Sequence, residues 1–190
     1  SDLDFWIEAL QRRGTIQTQD ELAFFQRWRD YIGVLFSGFV NAIPTLRRAF
    51  PGHTIVVRPH PSEDHARWRK EVAGLDNVAV VFEGSAIPWI AGCDVLVHNS
   101  CTTGVEAYLL DRPVVAYRPA TDPVLDSHLP HALSLQAGTD DALVARIADA
   151  ISSRFVPPTE AHREAARYVA ARDGAWAAER VAAALRSEEH

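Results

Sequence analysis

The chain has no methionine, only two cysteines and no long apolar run, and each shortage excludes something. A complete native chain of 190 residues rarely lacks methionine, so the stretch is expected to be an excised piece of a longer protein. The cysteines, Cys93 and Cys101, bracket the strand-like segment "DVLVH". If that segment is extended they lie roughly 20 Å or more apart, beyond the reach of a disulfide. No run approaches the ~20 apolar residues that a membrane span needs. The opening "SDLDFWIEAL" has neither the basic flank nor the apolar stretch of a secretory leader.

Runs of charge of one sign are also scarce. The net charge is −6, and the basic residues stand singly or in short pairs such as Arg12-Arg13 and Arg47-Arg48. A nucleic-acid or anionic-membrane surface is therefore not expected, and any anionic ligand must be held locally. Neither a Gly-x-Gly-x-x-Gly fingerprint nor a P-loop is present. His60 with His65, and His128 with His131, lack further ligands at usable spacing, so no metal and no resident cofactor are expected. Cys101 and His98 lack a third, orienting group for thiol catalysis. The tryptophans Trp28, Trp68, Trp89 and Trp176 are expected to pack rather than to stack on a ligand.

With 47% hydrophobic residues the chain can bury one sizeable core. Phe24, Trp28, Ile32, Leu35, Phe39, Ile43 and Leu46 recur at helical spacing, which predicts a long core-facing helix that Gly33 and Gly38 could kink. After "FPGH" the period changes. "TIVVR", "VAVVF", "DVLVH" and "PVVAY" are short continuous apolar runs, the mark of parallel strands covered on both faces. Helices are predicted between them over Ser62 to Ala73, Ala86 to Ala91 and Thr102 to Leu110, and "HALSL" is a candidate fifth strand. The fold class is thus α/β, a Rossmann-like three-layer domain with a mostly parallel sheet and helical flanks at both ends. The expected divisions are a helical flank over 1–50, the core over 51–153 and a helical flank over 154–190, with helices at Asp140 to Ser153, Glu160 to Ala171 and Trp176 to Leu185. A doubly wound sheet normally opens with a strand, whereas a long helical stretch comes first here. Either the initial strand lies upstream of Ser1 or the sheet is short by one.

Two constellations carry chemistry. Arg58, His60 and Pro61 close the first strand, at the edge where open α/β sheets keep their ligands. Pro61 suits the first turn of a following helix, and Glu63 and Asp64 suit its positive end. The arginine and histidine have no such structural reason and would suit phosphate oxygens. The second is "HNSCTTGVE". His98 ends a strand, Ser100, Thr102 and Thr103 supply small donors before a helix, Gly104 permits close approach, and Glu106 lies a turn inside, within reach of a ribose. The bland alternative is a capping box from Thr103 to Glu106.

"VVRPHPSED", followed by "VVFEGSAIPWIAGCDVLVHNSCTTGVEAYLLDRPVVAYRP", resembles the C-terminal half of bacterial surface-carbohydrate biosynthesis proteins that look like glycosyltransferases of the two-domain GT-B architecture. The resemblance runs from about Pro51 to Pro119, and bacterial sialyltransferases and Kdo transferases are similar. It implies a nucleotide-sugar donor, including CMP-activated sugars, bound by His60-Pro61, by Ser100, Thr102 and Thr103, and through its ribose by Glu106. The loop Glu83, Gly84, Ser85 would flank the base. It further implies a glycan acceptor held by a missing N-terminal domain, a role in capsule or lipopolysaccharide synthesis, and a cytoplasmic place with contact to the inner membrane through partners. No catalytic residue is assigned. UDP-N-acetylglucosamine 2-epimerases, whose paired glycines and double glutamate are absent here, and a degenerate scaffold domain remain as alternatives.

Overall fold

The computed structural model describes residues 2–154 and 157–168. In chain order the elements are α1 (Asp2–Arg12), α2 (Gln19–Ala49), β1 (Ile55–Val57), α3 (His65–Glu71), β2 (Val78–Val80), α4 (Ile87–Gly92), β3 (Leu96–His98), α5 (Thr103–Leu109), β4 (Val114–Tyr117), α6 (His128–Ala132), β5 (Leu135–Ala137), α7 (Asp140–Asp149) and α8 (Ala161–Tyr168). A single π-helical turn, Ala150–Arg154, follows α7. Among the described residues all strand pairs are parallel, so the expected α/β class with a Rossmann-like alternation is what the chain adopts. The strands form two ladders, β1 with β2 and β3-β4-β5.

The continuous apolar runs become strands because both faces are covered. Alternate residues of a strand point to opposite sides. Val115 and Tyr117 of β4 meet Ala42 of α2 and Leu143 and Ile147 of α7 on one face, while Val114 meets Ile90 of α4 and Ala107 of α5 on the other. Ile55 and Val57 of β1 pack with α2 and α3 around Ile43, Trp68 and Val72. Phe39 touches both the β1-β2 and the β3-β4-β5 clusters, so α2 spans the two ladders on a single face.

Several expectations shift. The long helix is unbroken over Gln19–Ala49 and even contains Pro44. Gly38 serves a close approach rather than a kink, since a Cβ there would lie 2.5 Å from Cγ of Pro119. Its start is fixed by a capping box, Thr18 with Glu21. The outer part of the predicted stripe is not core: Phe24 is exposed, and burial begins at Tyr31 and Leu35. Pro61 lies in a turn, not in the first turn of α3, which begins at His65 with Asp64 as its cap. The fifth strand is Leu135–Ala137, so most of "HALSL" is the end of α6 and a turn. The helix expected from Asp140 to Ser153 ends at Asp149 before the π turn. The helix predicted over Trp176 to Leu185 lies outside the described residues. No described helix is long and apolar enough to cross a membrane.

Candidate functional site

Parallel strands of one ladder end on a common edge, so the loops after β1 and β2 share one rim, and the turn after β3 lies at the corresponding end of its own ladder. Arg58, one residue beyond β1, donates from Nη2 to the carbonyl of Gly84 at 2.9 Å and from Nη1 to that of Glu83 at 3.3 Å. Its guanidinium also lies 5.6 Å from the ring centroid of Trp89. The two loops that the sequence analysis singled out separately are therefore joined by one side chain. Gly84 has φ +72°, a turn conformation that glycine adopts without penalty.

His60 is exposed, and its Nδ1 lies 2.7 Å from Oγ of Ser62. The two acidic residues beyond it divide their work. Asp64 caps α3 by accepting from the amides of Ala66 and Arg67, while Glu63 accepts from the His60 amide at 2.5 Å and from Nε1 of Trp68 at 3.2 Å. Glu63 thus shapes the histidine turn instead of the helix end. Trp68 is core as expected, whereas Trp89 is 42% exposed on this rim.

The turn after β3 is built differently. His98 is only 4% exposed. Its Nδ1 accepts from the Cys101 amide at 3.4 Å, so the proton resides on Nε2, which is 2.8 Å from Oγ of Ser134; that hydroxyl in turn donates to the carbonyl of Pro130 at 2.6 Å. Burial, helped by the nearby His131, pushes the His98 imidazole down to about 4. Gly104 rests directly on this ring: a Cβ would meet Nε2 at 2.5 Å. Ser100 has φ +46°, unusual for a residue other than glycine, and its Oγ lies 2.8 Å from Nε2 of His131. The expected capping box is not formed. The cap is Thr102 in a helical conformation without a side-chain hydrogen bond, and α5 starts at Thr103. Among the described residues no hydrogen bond engages the side chains of Thr102, Thr103 or Glu106, so these groups remain available at the rim.

A third cluster was not foreseen. Asp126 accepts hydrogen bonds from the Tyr31 hydroxyl, from Nη2 of Arg118 and from the Asp122 amide. Asp122 in turn pairs with Arg27 at 2.5 Å. Burial alone would raise the Asp126 carboxyl, but its donors hold it below the usual carboxylate range. Burial, with Asp126 beside it, pushes the Tyr31 phenol up to about 12. A cavity of about 710 Å³ adjoins the cluster, lined in part by Arg118, Asp126, His131, Gln136 and Arg146. None of the residues expected from the sequence to bind a donor is among those lining it. No hydrogen bond among the described residues joins the Arg58 loops to the Ser100 turn; α4 packs on α5. No group of described side chains is arranged to hold a metal ion.

No protein-family model matches the chain, and no curated protein does. Among solved structures it is similar to the E. coli heptosyltransferase WaaC with ADP, at 21% identity and a TM-score of 0.46. The match covers 60% of this chain and 38% of that one. A likeness of that depth assigns neither ligand nor reaction.

Proposed function

We propose that the chain is the nucleotide-sugar-binding half of a glycosyltransferase of GT-B architecture that acts in bacterial surface polysaccharide synthesis, with CMP-activated sugars among its donors. The observation that carries this is the Arg58 bridge to the carbonyls of Glu83 and Gly84, which makes one continuous rim from the ends of two parallel strands. On this reading His60 and Pro61 approach the donor phosphate from that rim, and Glu83, Gly84 and Ser85 flank the base. Ser100, Thr102 and Thr103 receive the phosphate from the other side, with Gly104 allowing the backbone close. Glu106 accepts hydrogen bonds from the ribose, since no described residue engages its carboxylate. His98 supports the Ser100 turn from beneath, because a buried imidazole kept neutral offers no charge to a phosphate. The glycan acceptor belongs to a partner domain.

Titration of CMP, CDP, UMP and UDP by calorimetry or by NMR shifts tests the reading. Weak nucleotide binding without sugar transfer by Ser1 to His190 alone is expected, because a cleft between two domains has only one wall here. Binding of none of the four removes the reading in favour of a scaffold domain. Isomerisation of free UDP-N-acetylglucosamine would replace it with an epimerase.

A further inference from the structure

Two strands run out into Arg-Pro: β1 into Arg58-Pro59 and β4 into Arg118-Pro119. The first pair belongs to the rim already described. The second has no part in it, although it stands at the corresponding end of its own ladder, where open α/β sheets bind ligands. Tyr117 and, on the neighbouring strand, Leu135 and Ala137 pack toward α2 and α7. Strand alternation therefore turns Arg118 and Gln136 to the opposite side, where Nη1 of Arg118 donates to Oε1 of Gln136 at 3.3 Å.

Arg118 lines the cavity of about 710 Å³, a volume within the range of small-molecule sites. Its guanidinium is only partly satisfied. Nη2 is paired with Asp126 and Nη1 with Gln136, whereas Nε is buried with no acceptor among the described residues. A buried donor left in this way is costly, so a further oxyanion beside this guanidinium is stabilised. Arg146 of α7 lines the same cavity, and its pairing with Asp149 is 3.9 Å long between half-exposed side chains, so it contributes little. His131 is lowered chiefly by burial and adds no charge at neutral pH, and His128 is engaged by Glu164. Among the described lining residues two guanidiniums thus face one carboxylate, Asp126, in a chain of net charge −6. The uncharged polar groups are already engaged: the Ser134 hydroxyl by His98 and the carbonyl of Pro130, and the Gln136 amide by the carbonyls of His131 and Ser134. The rest of the lining, Pro123, Ala132, Leu135 and Pro158, is apolar.

We infer that this cavity is a binding site for a small monocarboxylic acid with a compact apolar body, its carboxylate met by the guanidiniums of Arg118 and Arg146 and its carbon skeleton by the prolines and Leu135. Two features select that class. Asp126 stands in the same wall, held ionised by Tyr31, Arg118 and the Asp122 amide, and would repel the second charge of a phosphate monoester. One carboxylate leaves the charges of the wall balanced, two cations against two anions. A polyhydroxylated body, in turn, would give up its water for a lining whose uncharged polar groups are already bonded, which is costly. The inference does not rest on the proposed function, because none of the residues given there to the nucleotide is among those lining the cavity.

NMR titration of Ser1 to His190 with sodium benzoate tests this, read at the arginine Nε–H groups and at the backbone amides of Ala132 and Gln136. Saturable shifts at Arg118 and Arg146 are expected. Benzamide keeps the ring without the charge, acetate keeps the charge without the ring, and each should bind at least about tenfold more weakly. Neither phenyl phosphate nor glucuronate should bind more tightly than benzoate. Arg118→Gln endangers the Asp126 cluster, so the charge is tested at the exposed Arg146. Arg146→Gln should weaken benzoate at least about fivefold, while Arg12→Gln, the same loss of charge on α1, leaves it unchanged. The inference is overturned by benzoate giving no saturable shift, by benzamide or acetate binding as tightly, by tighter binding of phenyl phosphate or glucuronate, or by an Arg146→Gln variant that binds as the parent does. CMP should not displace benzoate. Displacement would overturn the cavity as a separate site, whereas binding of benzoate without any binding of CMP supports the inference and removes only the nucleotide reading.

Discussion

The loops after β1 and β2 and the turn after β3 both follow the ends of parallel strands, yet they are held in opposite ways. The first pair is exposed and is joined mainly by Arg58 reaching two backbone carbonyls. The second rests on a buried imidazole, a glycine with no room for a methyl group and hydroxyls bonded across 31 and 36 residues of sequence. A site built this way has one adaptable wall and one preformed wall. Geometry that must not change, such as a turn presenting hydroxyls to a phosphate, belongs on the preformed side. Contacts that follow different ligands can be left to the other.

The largest test of the contrast is acid. His98 has a folded value near 4, well below the 6.5 of a free imidazole. Between those values the unfolded chain binds a proton that the folded chain refuses, so stability falls as pH drops from about 7 toward 4. The loss should approach a few kcal/mol, on the order of 3. His131, lowered chiefly by burial, acts in the same direction. Urea melts at neutral and mildly acidic pH should show this slope, and His98→Gln should remove most of it. A slope unchanged in that variant would mean that His98 is not the group that makes the turn acid-sensitive.

Two glycines sharpen the comparison at a smaller scale. Gly104→Ala drives a methyl against a ring already fixed by Ser134 and the Cys101 amide, and overpacking of this kind costs about 1–3 kcal/mol. Gly84→Ala meets nothing within 4 Å, so its only cost is the positive φ, roughly 1 kcal/mol. Melting curves should rank Gly104→Ala below Gly84→Ala. Equal losses would mean that the two walls are equally tolerant.

The same contrast explains what could be read from the sequence. The β strands and the helices between them were legible because their signals are local: "TIVVR" and "PVVAY" are continuous apolar runs, and Arg58 and His60 follow the first at a strand end. The residues of the preformed wall were legible too, but the contacts that hold them were not. Nothing local announces that Ser100 meets His131, that His98 meets Ser134, or that Tyr31 and Arg27 reach Asp126 and Asp122 across 95 residues. Those long-range demands also delayed β5: His131 and Ser134 are engaged by the turn, so the strand starts only at Leu135. The capping box offered as the bland alternative at Thr103 to Glu106 does not form, for a related reason. Both Thr18-x-x-Glu21 and Thr103-x-x-Glu106 fit the pattern, but only the first is free of a tertiary constraint, since the second turn is fixed by His98 and Gly104.

That unformed box yields the smallest effect and the cleanest one. A capping threonine typically contributes about 0.5 to 2 kcal/mol. With no side-chain cap at the start of α5, Thr103→Ala should instead change stability by less than about 0.5 kcal/mol. Thr18→Ala, which breaks the box that does form, should cost the full capping value. Glu106→Gln should likewise leave the melting temperature unchanged, because no described residue engages the carboxylate. Its effect is expected in binding alone. Losing a charged acceptor for ribose hydroxyls would weaken nucleotide affinity by about 1.5 to 3 kcal/mol, roughly tenfold to somewhat over a hundredfold. Calorimetry on the three variants separates the possibilities: unchanged affinity in Glu106→Gln removes this carboxylate from the donor site, and a large stability loss in Thr103→Ala would restore the capping box.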